Sequence, residues 1–136
     1  MIVKDVMSSD ICTVQPDNSA MDAAQLMSRH DVGSIPVVNN NNLCGIITDR
    51  DIVLRCIAKG QQANNCKIND VMSKSAVTIS SNHTIEEAEQ LMSSEQIRRL
   101  PVVDNGKLEG VVSLADIARI RPTKDMGKTL SEISMK

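Results

Sequence analysis

Hydrophobic and polar positions alternate along the chain with a period that changes several times, and each change predicts a new element. After Ser19 and again after Thr84, apolar residues recur at the spacing of a helix. Short apolar runs that follow these helices predict four strands, at residues 35–38, 43–47, 100–103 and 108–112. An extended piece precedes each helix, at residues 11–14 and 76–79, and a further helix follows each strand pair. The pattern therefore predicts an α/β (α+β) fold with the order β-α-β-β-α, twice.

The second half of the chain repeats the first half at a fixed offset. A shift of 65 positions places residues 3–54 on residues 68–119 without a gap, with roughly a third of the pairs identical. The repeat divides the chain into four parts: a first copy at residues 2–60, a linker at 61–67, a second copy at 68–121 and a polar tail at 122–136. One copy is short for an independent core. We therefore expect the two copies to pack sheet to sheet about a pseudo-twofold axis.

Local signals place the starts of the long helices and one of the turns. Ser19 and Asp22 have the spacing of a capping box, in which each side chain accepts a hydrogen bond from the other residue's backbone N–H. Thr84 and Glu87 repeat this spacing in the second copy. The asparagine run at residues 39–42 separates two strands, which predicts a turn with left-handed backbone.

One motif closes the second strand of each copy, at residues 45–51 and 110–116. It reads glycine, two apolar residues, a hydroxyl residue, two variable residues and Asp, and in the first copy it opens a helix predicted at 49–59. The hydroxyl residue and the Asp have capping-box spacing, which explains both without a ligand. A helix N-terminus also binds phosphate, and a carboxylate can accept hydrogen bonds from ribose hydroxyls. Gly45 and Gly110 favour the ligand, because close backbone approach requires glycine.

The composition excludes several classes of function. The 136 residues include no Phe, Tyr or Trp, and the net charge is −2. Because base stacking needs aromatic side chains and phosphate backbones need a basic surface, we expect no nucleic-acid partner. No segment resembles a signal peptide or a membrane helix, so we expect a cytoplasmic protein without a membrane partner. The four cysteines and two histidines show no zinc spacing, and we expect no metal and no cofactor.

The sequence offers no evident catalytic machinery. It contains no recognisable Ser/His/Asp or Cys/His set and no P-loop lysine that would polarise a phosphate. His30 and His83 fall in or near the surfaces of the first helices, as ordinary exposed polar residues do. We therefore expect that the protein is not an enzyme and has no catalytic residue.

Three features recur in both copies and together are specific. They are Asp-Val-Met at residues 5–7 and 70–72, Pro-Val-Val at residues 36–38 and 101–103, and the repeated glycine-to-aspartate motif. Through them the chain resembles a tandem pair of CBS domains, the module named for cystathionine beta-synthase, over residues 2–121. The resemblance implies the paired arrangement called a Bateman module, with adenosine-containing ligands bound in two clefts between the repeats. It also implies a homodimer.

The resemblance also assigns roles to residues of this chain. Ribose hydroxyls would bind Asp51 and Asp116. Phosphate would bind Thr48 and Ser113. Apart from the resemblance, Arg98 and Arg99 could form a solvated strand edge, but we favour a guanidinium of at least one of them facing a phosphate, and Arg50 is a further phosphate candidate. Adenine would lie against two groups of residues: Ile11, Cys12, Val32, Gly33 and Ser34 in one cleft, and Ala76, Val77 and Ile97 in the other. The sequence leaves open which repeat supplies the base contacts and which the ribose contacts of one cleft.

Two functions remain open at this point. One is a regulatory sensor that binds AMP, ADP or ATP, or S-adenosylmethionine, and signals to an unknown effector protein through a change in repeat or dimer geometry. The other is a structural interaction or dimerisation module that has no nucleotide ligand. Thermal stability separates them, because a ligand that binds only the native state raises the melting temperature.

Overall fold

The computed structural model describes residues 1–120 and Ile133, and the rest of the predicted tail at 122–136 lies outside the described residues. The first half contains three helices and two strands: α1 (Val3–Val6), α2 (Ala20–His30), β1 (Ser34–Asn39), β2 (Asn42–Thr48) and α3 (Asp49–Arg55). The second half contains their counterparts: α4 (Ile68–Val71), α5 (Ile85–Glu95), β3 (Arg99–Asp104), β4 (Lys107–Ser113) and α6 (Leu114–Ala118). The predicted mixed α/β fold is confirmed.

Capping boxes begin both long helices, as the spacing predicts. The Ser19 hydroxyl accepts a hydrogen bond from the Asp22 N–H at 3.1 Å at the start of α2. At the start of α5, the Thr84 hydroxyl accepts from the Glu87 N–H at 3.1 Å, and the Glu87 carboxylate accepts from the Thr84 N–H at 3.0 Å. Hydrogen bonds from the Thr84 N–H and the Thr84 hydroxyl hold the pKa of Glu87 below its usual value.

Each half folds its two strands into an antiparallel hairpin. Thr48 lies opposite Ser34 in the first hairpin, and Ser113 lies opposite Arg99 in the second. The turns have left-handed backbone at two successive residues each, which confirms the prediction for the asparagine run: Asn40, Asn41, Asn105 and Gly106. The start of each first strand is therefore held beside the end of each second strand, where the repeated motif lies.

Three predicted elements are shorter than expected. The extended pieces before the long helices are reduced to single-residue parallel bridges, Val14 with Val37 and Ile79 with Val102. The helix predicted at residues 49–59 ends at Arg55, and a separate 3₁₀ turn at Ile57–Lys59 continues the chain.

The compact units of the structure do not have the same limits as the sequence copies. One unit, the continuous unit, is Cys12–Ala76, and the other, the split unit, joins Met1–Ile11 to the chain from Val77 onward. Helix α1 therefore belongs with the second sequence copy, where the Val3 N–H donates to the His83 carbonyl at 2.8 Å. Helix α4 belongs with the first copy, where the Ile68 N–H donates to the Asn18 carbonyl at 2.9 Å.

Each unit has its own core of aliphatic and sulfur-containing side chains, as a chain without aromatic residues requires. The core of the continuous unit contains Val14, Ala20, Ala23, Met27, Ile35, Val37, Ile47, Ile52, Cys56, Cys66, Ile68, Val71 and Met72. The core of the split unit contains Val3, Ile79, Ala88, Met92, Leu100, Val102, Val112, Leu114, Ile117 and Ile133. Within the described part of the chain, no helix combines the length and the apolar character that crossing a bilayer requires.

Candidate functional site

The motif of the continuous unit places a hydroxyl and a carboxylate at the first turn of α3. The Thr48 hydroxyl accepts a hydrogen bond from the Asp51 N–H at 3.0 Å, and Asp51 Oδ2 accepts one from the Thr48 N–H at 3.0 Å. Asp51 is buried, with 8% of its surface exposed. Because the Thr48 oxygen serves as an acceptor in the cap, its O–H proton is available to a ligand. Asp51 Oδ1 has Arg55 at 3.8 Å and keeps a lone pair for a further donor.

The split unit repeats this arrangement at the first turn of α6. Asp116 Oδ2 accepts a hydrogen bond from the Ser113 N–H at 2.9 Å, and the Ser113 hydroxyl accepts one from the Asp116 N–H at 3.1 Å. Here the second carboxylate oxygen, Asp116 Oδ1, accepts a hydrogen bond from the Arg119 guanidinium at 3.0 Å. The two motifs therefore share their caps, and in each an arginine three or four residues later faces the remaining carboxylate oxygen, at 3.8 Å from Asp51 and at 3.0 Å from Asp116.

Three of the predicted adenine residues of the continuous unit lie beside the start of α3. Ser34 is the strand partner of Thr48, and the Gly33 carbonyl accepts a hydrogen bond from the Asp49 N–H at 2.9 Å. Val32 is half-buried and packs against the core, as does Cys12. The hairpin thus brings the Val32–Ser34 segment to the capped helix, and it leaves Gly33 exposed.

The split unit places the corresponding segment in the same way. The Arg98 carbonyl accepts a hydrogen bond from the Leu114 N–H at 2.8 Å, and Arg99 is the strand partner of Ser113. Val77 and Ile97 are half-buried against the core. Arg98 is exposed and Arg99 is half-buried. Both arginines lie at the start of β3, next to the capped helix.

Two of the predicted adenine residues fall on the far side of a unit boundary from their predicted neighbours. Ile11 is the last residue of the first segment of the split unit, whereas Cys12 opens the continuous unit. Ala76 closes the continuous unit, whereas Val77 belongs to the split unit. Each predicted adenine group therefore takes residues from both units, and its assignment stays a prediction.

The residues next to the two caps differ in charge. In the continuous unit, Asp49 and Arg50 open α3, and the Asp49 carboxylate lies over Gly33, so that a Cβ there would be 3.1 Å from Asp49 Oδ2. In the split unit, the uncharged Leu114 and Ala115 open α6. The phosphate candidate Arg50 thus stands next to a carboxylate, whereas the position that corresponds to Asp49 in the split unit is the uncharged Leu114.

Two arginines at these sites were not among the sequence predictions. Arg55 lies 3.8 Å from Asp51 Oδ1 and donates to the Val71 and Met72 carbonyls at 3.3 Å, which fixes it beside α4. Arg119 contacts Asp116 and has a side chain that is 73% exposed. The signal that could have found both is their spacing, because residues three or four positions apart share one face of a helix.

Glycine is required at the two motif positions for a different reason from the one that the sequence suggested. We expected Gly45 and Gly110 to allow close approach of a ligand, and this interpretation is wrong. The Ile46 N–H and carbonyl pair with Ser73, and a Cβ on Gly45 would overlap with the Ser73 carbonyl. A Cβ on Gly110 would lie 2.6 Å from the Ser8 carbonyl. The glycines therefore admit the backbone that follows α4 or α1.

The comparison with known families is decided by both halves of the chain. A family model of the CBS domain matches residues 3–57 and 68–122. The chain belongs to the CBS domain family. Within this family, the CBS domain-containing protein YhcV of Bacillus subtilis is 43% identical over 133 residues, which are 97% of this chain and 94% of YhcV. That relative therefore consists of little besides the region that this CBS pair matches.

Solved structures of other CBS proteins have the same fold. Hypoxic Response Protein I with two coordinated zinc ions gives a TM-score of 0.81 at 32% identity, covering 90% of this chain and 100% of that one. A second structure is the CBS domain pair of protein MJ0100 in complex with 5'-methylthioadenosine and S-adenosyl-L-methionine. Its TM-score is 0.75 at 29% identity, and the match covers 88% of this chain and 98% of that one. In the described residues of this chain, the His, Cys, Asp and Glu side chains form no group of three or more that could hold a metal ion.

Proposed function

We propose that this CBS pair is a regulatory module that binds adenosine-containing ligands, with one ribose-binding carboxylate in each unit. The observation that carries the proposal is the repeated cap, in which Asp51 and Asp116 each use Oδ2 for the helix, while Oδ1 faces an arginine and has a further lone pair for a ligand. A carboxylate has roughly four lone-pair sites, so it can accept from ribose hydroxyls while it caps the helix. The MJ0100 pair, which was solved with two adenosine derivatives, supports this ligand class.

The hydroxyl of each cap supplies the contact to phosphate. Thr48 and Ser113 accept hydrogen bonds from the backbone and have their protons left to donate. The half-buried Val32 and Val77 provide aliphatic surface for the adenine ring, which has no aromatic partner in this chain. Backbone groups of the Val32–Ser34 segment, and of its counterpart at 97–99, read the edge of the base.

The two units differ in the ligand charge that they favour. Arg98 and Arg99 lie at the start of the strand that pairs with the end of β4, Arg119 contacts Asp116, and α6 opens with two uncharged residues. Guanidinium groups suit phosphate oxygens. In the continuous unit, the Asp49 carboxylate repels phosphate and compensates for Arg50. We therefore expect AMP, ADP or ATP to prefer the split unit, and the cationic S-adenosylmethionine to prefer the continuous unit.

The module is non-catalytic and acts through a second copy of the chain and an effector protein. Helix α3 and the turn after it expose three large apolar side chains: Val53 (55%), Leu54 (45%) and Ile57 (52%). Two of them line a depression of about 380 Å³ together with Asp49 and Arg50. An antiparallel pairing of two such faces would place Asp49 of one copy near Lys59 of the other, so the surface is complementary to itself.

A ligand would signal by shifting this dimer between two arrangements. It can do so only by its difference in affinity for the two. Sedimentation of the wild type should show a dimer, and Val53→Lys should shift it to the monomer, because two copies of a charge would then be buried at one contact. Met21→Lys on α2, where Met21 is 40% exposed, is the matched control and should remain dimeric.

Thermal melting in the presence of nucleotides tests the binding proposal. AMP and S-adenosylmethionine, each at millimolar concentration, should raise the melting temperature, and together they should raise it further if they occupy different units. Inosine monophosphate and ribose 5-phosphate are the controls for the base. A dimer whose melting temperature does not respond to any adenosine ligand would instead be an interaction module without a nucleotide, which the exposed α3 face would suit.

A further inference from the structure

We propose that Cys56 and Cys66 form an oxidisable thiol pair, which is converted to an intramolecular disulfide at the end of α3. Both side chains are buried, with 0% and 4% of their surface exposed. Both thiols reach the same residue: Cys56 Sγ lies 3.8 Å from the Gln61 carbonyl oxygen, and Cys66 Sγ lies 3.3 Å from Gln61 Oε1. Cys56 is also among the groups that raise the pKa of Cys66, as a close neighbour does.

The segment between the two cysteines is a short surface loop. It contains the 3₁₀ turns Ile57–Lys59 and Ala63–Asn65, with Gly60 in left-handed backbone at φ 79°. Most of the loop is exposed, and the two flanking thiols are its deeply buried ends. Opening of this loop would give an oxidant access to the thiols and leave the strands in place. A disulfide would then close the loop covalently, without a long-range rearrangement.

The chemistry balances with a peroxide as the oxidant. One thiolate attacks a peroxide oxygen, the O–O bond breaks, and a sulfenic acid and hydroxide form. The second thiolate attacks the sulfenic sulfur, the S–S bond forms, and hydroxide leaves and is protonated to water. Two thiols and one hydrogen peroxide thus give one disulfide and two waters, and two electrons pass from sulfur to oxygen.

The surroundings of the two thiols determine how fast they are oxidised. Burial, together with the neighbouring Cys56 and the Asp70 carboxylate, raises the pKa of the Cys66 thiol to about 11. Since the thiolate is the reactive form, oxidation should be slow at neutral pH and faster at alkaline pH. The protein would therefore respond to sustained peroxide rather than to a brief exposure.

The disulfide would act on one unit only. The four cysteines lie at positions 12, 44, 56 and 66, all in the continuous unit. Cys56 follows Arg55, which contacts both α4 and Asp51, and the Cys66 carbonyl accepts a hydrogen bond from the Ala20 N–H at 2.7 Å. Oxidation would thus tie the end of the site helix α3 to the residue that holds the start of α2.

A tryptic digest of the wild-type chain tests this proposal. The four cysteines fall in four different tryptic peptides, at residues 5–29, 30–50, 56–59 and 60–67. After hydrogen peroxide, removal of the peroxide with catalase and alkylation of free thiols in denaturant, the main cross-linked product should be 56–59 joined to 60–67. The oxidised protein should melt at a higher temperature, and dithiothreitol should reverse both changes.

Two variants complete the experiment. Cys66→Ser should lose the cross-link, and its melting temperature should no longer rise with peroxide, whereas Cys44→Ser should behave as the wild type. Alkylation of both Cys56 and Cys66 after peroxide treatment at pH 9 would overturn the proposal. So would a product linked mainly through Cys12 or Cys44, or sulfinic acid at Cys56 without any cross-link. None of these outcomes depends on whether the protein binds a nucleotide.

Discussion

In the continuous unit, the helix after the motif begins with Asp49 and Arg50, whereas in the split unit it begins with Leu114 and Ala115. The hydroxyl–aspartate cap is the same in both, with all four of its hydrogen bonds between 2.9 and 3.1 Å. The capping hydrogen bonds therefore keep the same backbone geometry at both sites, and the neighbouring side chains differ in charge. The lesson is that a duplicated site can hold its geometry constant while charge distinguishes the two copies.

Because both units pack a backbone segment against the motif glycine, we expect equivalent glycine substitutions to lower the free energy of unfolding by large and equal amounts. Gly45→Ala and Gly110→Ala should each lower the free energy of unfolding by about 3 kcal/mol, because the new Cβ would overlap with a backbone carbonyl that cannot move aside as a flexible side chain would. Urea unfolding followed by far-ultraviolet circular dichroism measures this in a chain without Trp. Gly60→Ala, where nothing lies within 4 Å and φ is 79°, should cost only about 1 kcal/mol.

If Gly45→Ala cost no more than Gly60→Ala, the close approach of Ser73 would not be a constraint in solution. If Gly45→Ala and Gly110→Ala lowered the free energy of unfolding by very different amounts, the two units would not have the same backbone packing at the motif glycine.

The difference in charge predicts opposite effects on nucleotide affinity. Arg98→Ala and Arg99→Ala should each weaken AMP binding about tenfold, since each removes a charge-assisted hydrogen bond of about 1.5 kcal/mol. Asp49→Asn should instead strengthen AMP binding in the continuous unit, because it removes a negative charge beside the phosphate. Calorimetric titration measures both. Unchanged AMP affinity in all three variants would contradict the assignment of charge preference to the units.

The arginines that face the caps predict a smaller difference in stability. Arg55→Ala should lower the free energy of unfolding by about 1 kcal/mol, because Arg55 donates to two carbonyls at the end of α4. Arg119→Ala should change it by less than about 0.5 kcal/mol, because Arg119 is mostly exposed and makes one surface ion pair. Equal costs in urea unfolding would show that the two arginines are equivalent.

Acid sensitivity provides the smallest expected difference between the units. Hydrogen bonds from Ser81 lower the pKa of Asp104, and those from Thr84 lower the pKa of Glu87, both in the split unit. Because these folded-state pKa values lie below the unfolded ones, about 3.9 and 4.3, the stabilisation is complete above the unfolded values. It is lost as the pH falls through the folded pKa of each group.

Melting temperatures between pH 6 and pH 3 test this dependence. Asp104→Asn and Glu87→Gln should each make the decline in melting temperature slightly shallower below pH 4. A steeper decline in either variant would mean that folding raises the pKa of the replaced carboxyl instead of lowering it.

Features of the fold that depend on neighbours in sequence could be predicted from the sequence alone. The capping boxes of Ser19 and Thr84 and the left-handed turn at Asn40 and Asn41 each arise from a few adjacent residues. The association of α1 with the second copy and of α4 with the first could not be predicted, because it rests on contacts far apart in the chain, such as Val3 with His83.

The candidate site was predictable to a similar degree. The repeated motif identified the caps, since hydroxyl and aspartate are three positions apart. It gave no warning that Gly45 faces Ser73, because a glycine that admits a ligand and one that admits a backbone segment have the same sequence signature.

Titration of AMP into the wild type, Asp116→Asn and Asp51→Asn tests the central claim most directly. Asparagine keeps an oxygen for the cap but loses the charge and the second acceptor. We predict that Asp116→Asn weakens AMP binding at least about tenfold and that Asp51→Asn changes it less than about twofold while weakening S-adenosylmethionine binding. The account would be contradicted if the folded wild type gave no heat of binding with AMP, ADP, ATP or S-adenosylmethionine at millimolar concentration. Unchanged AMP affinity in both variants would contradict it as well.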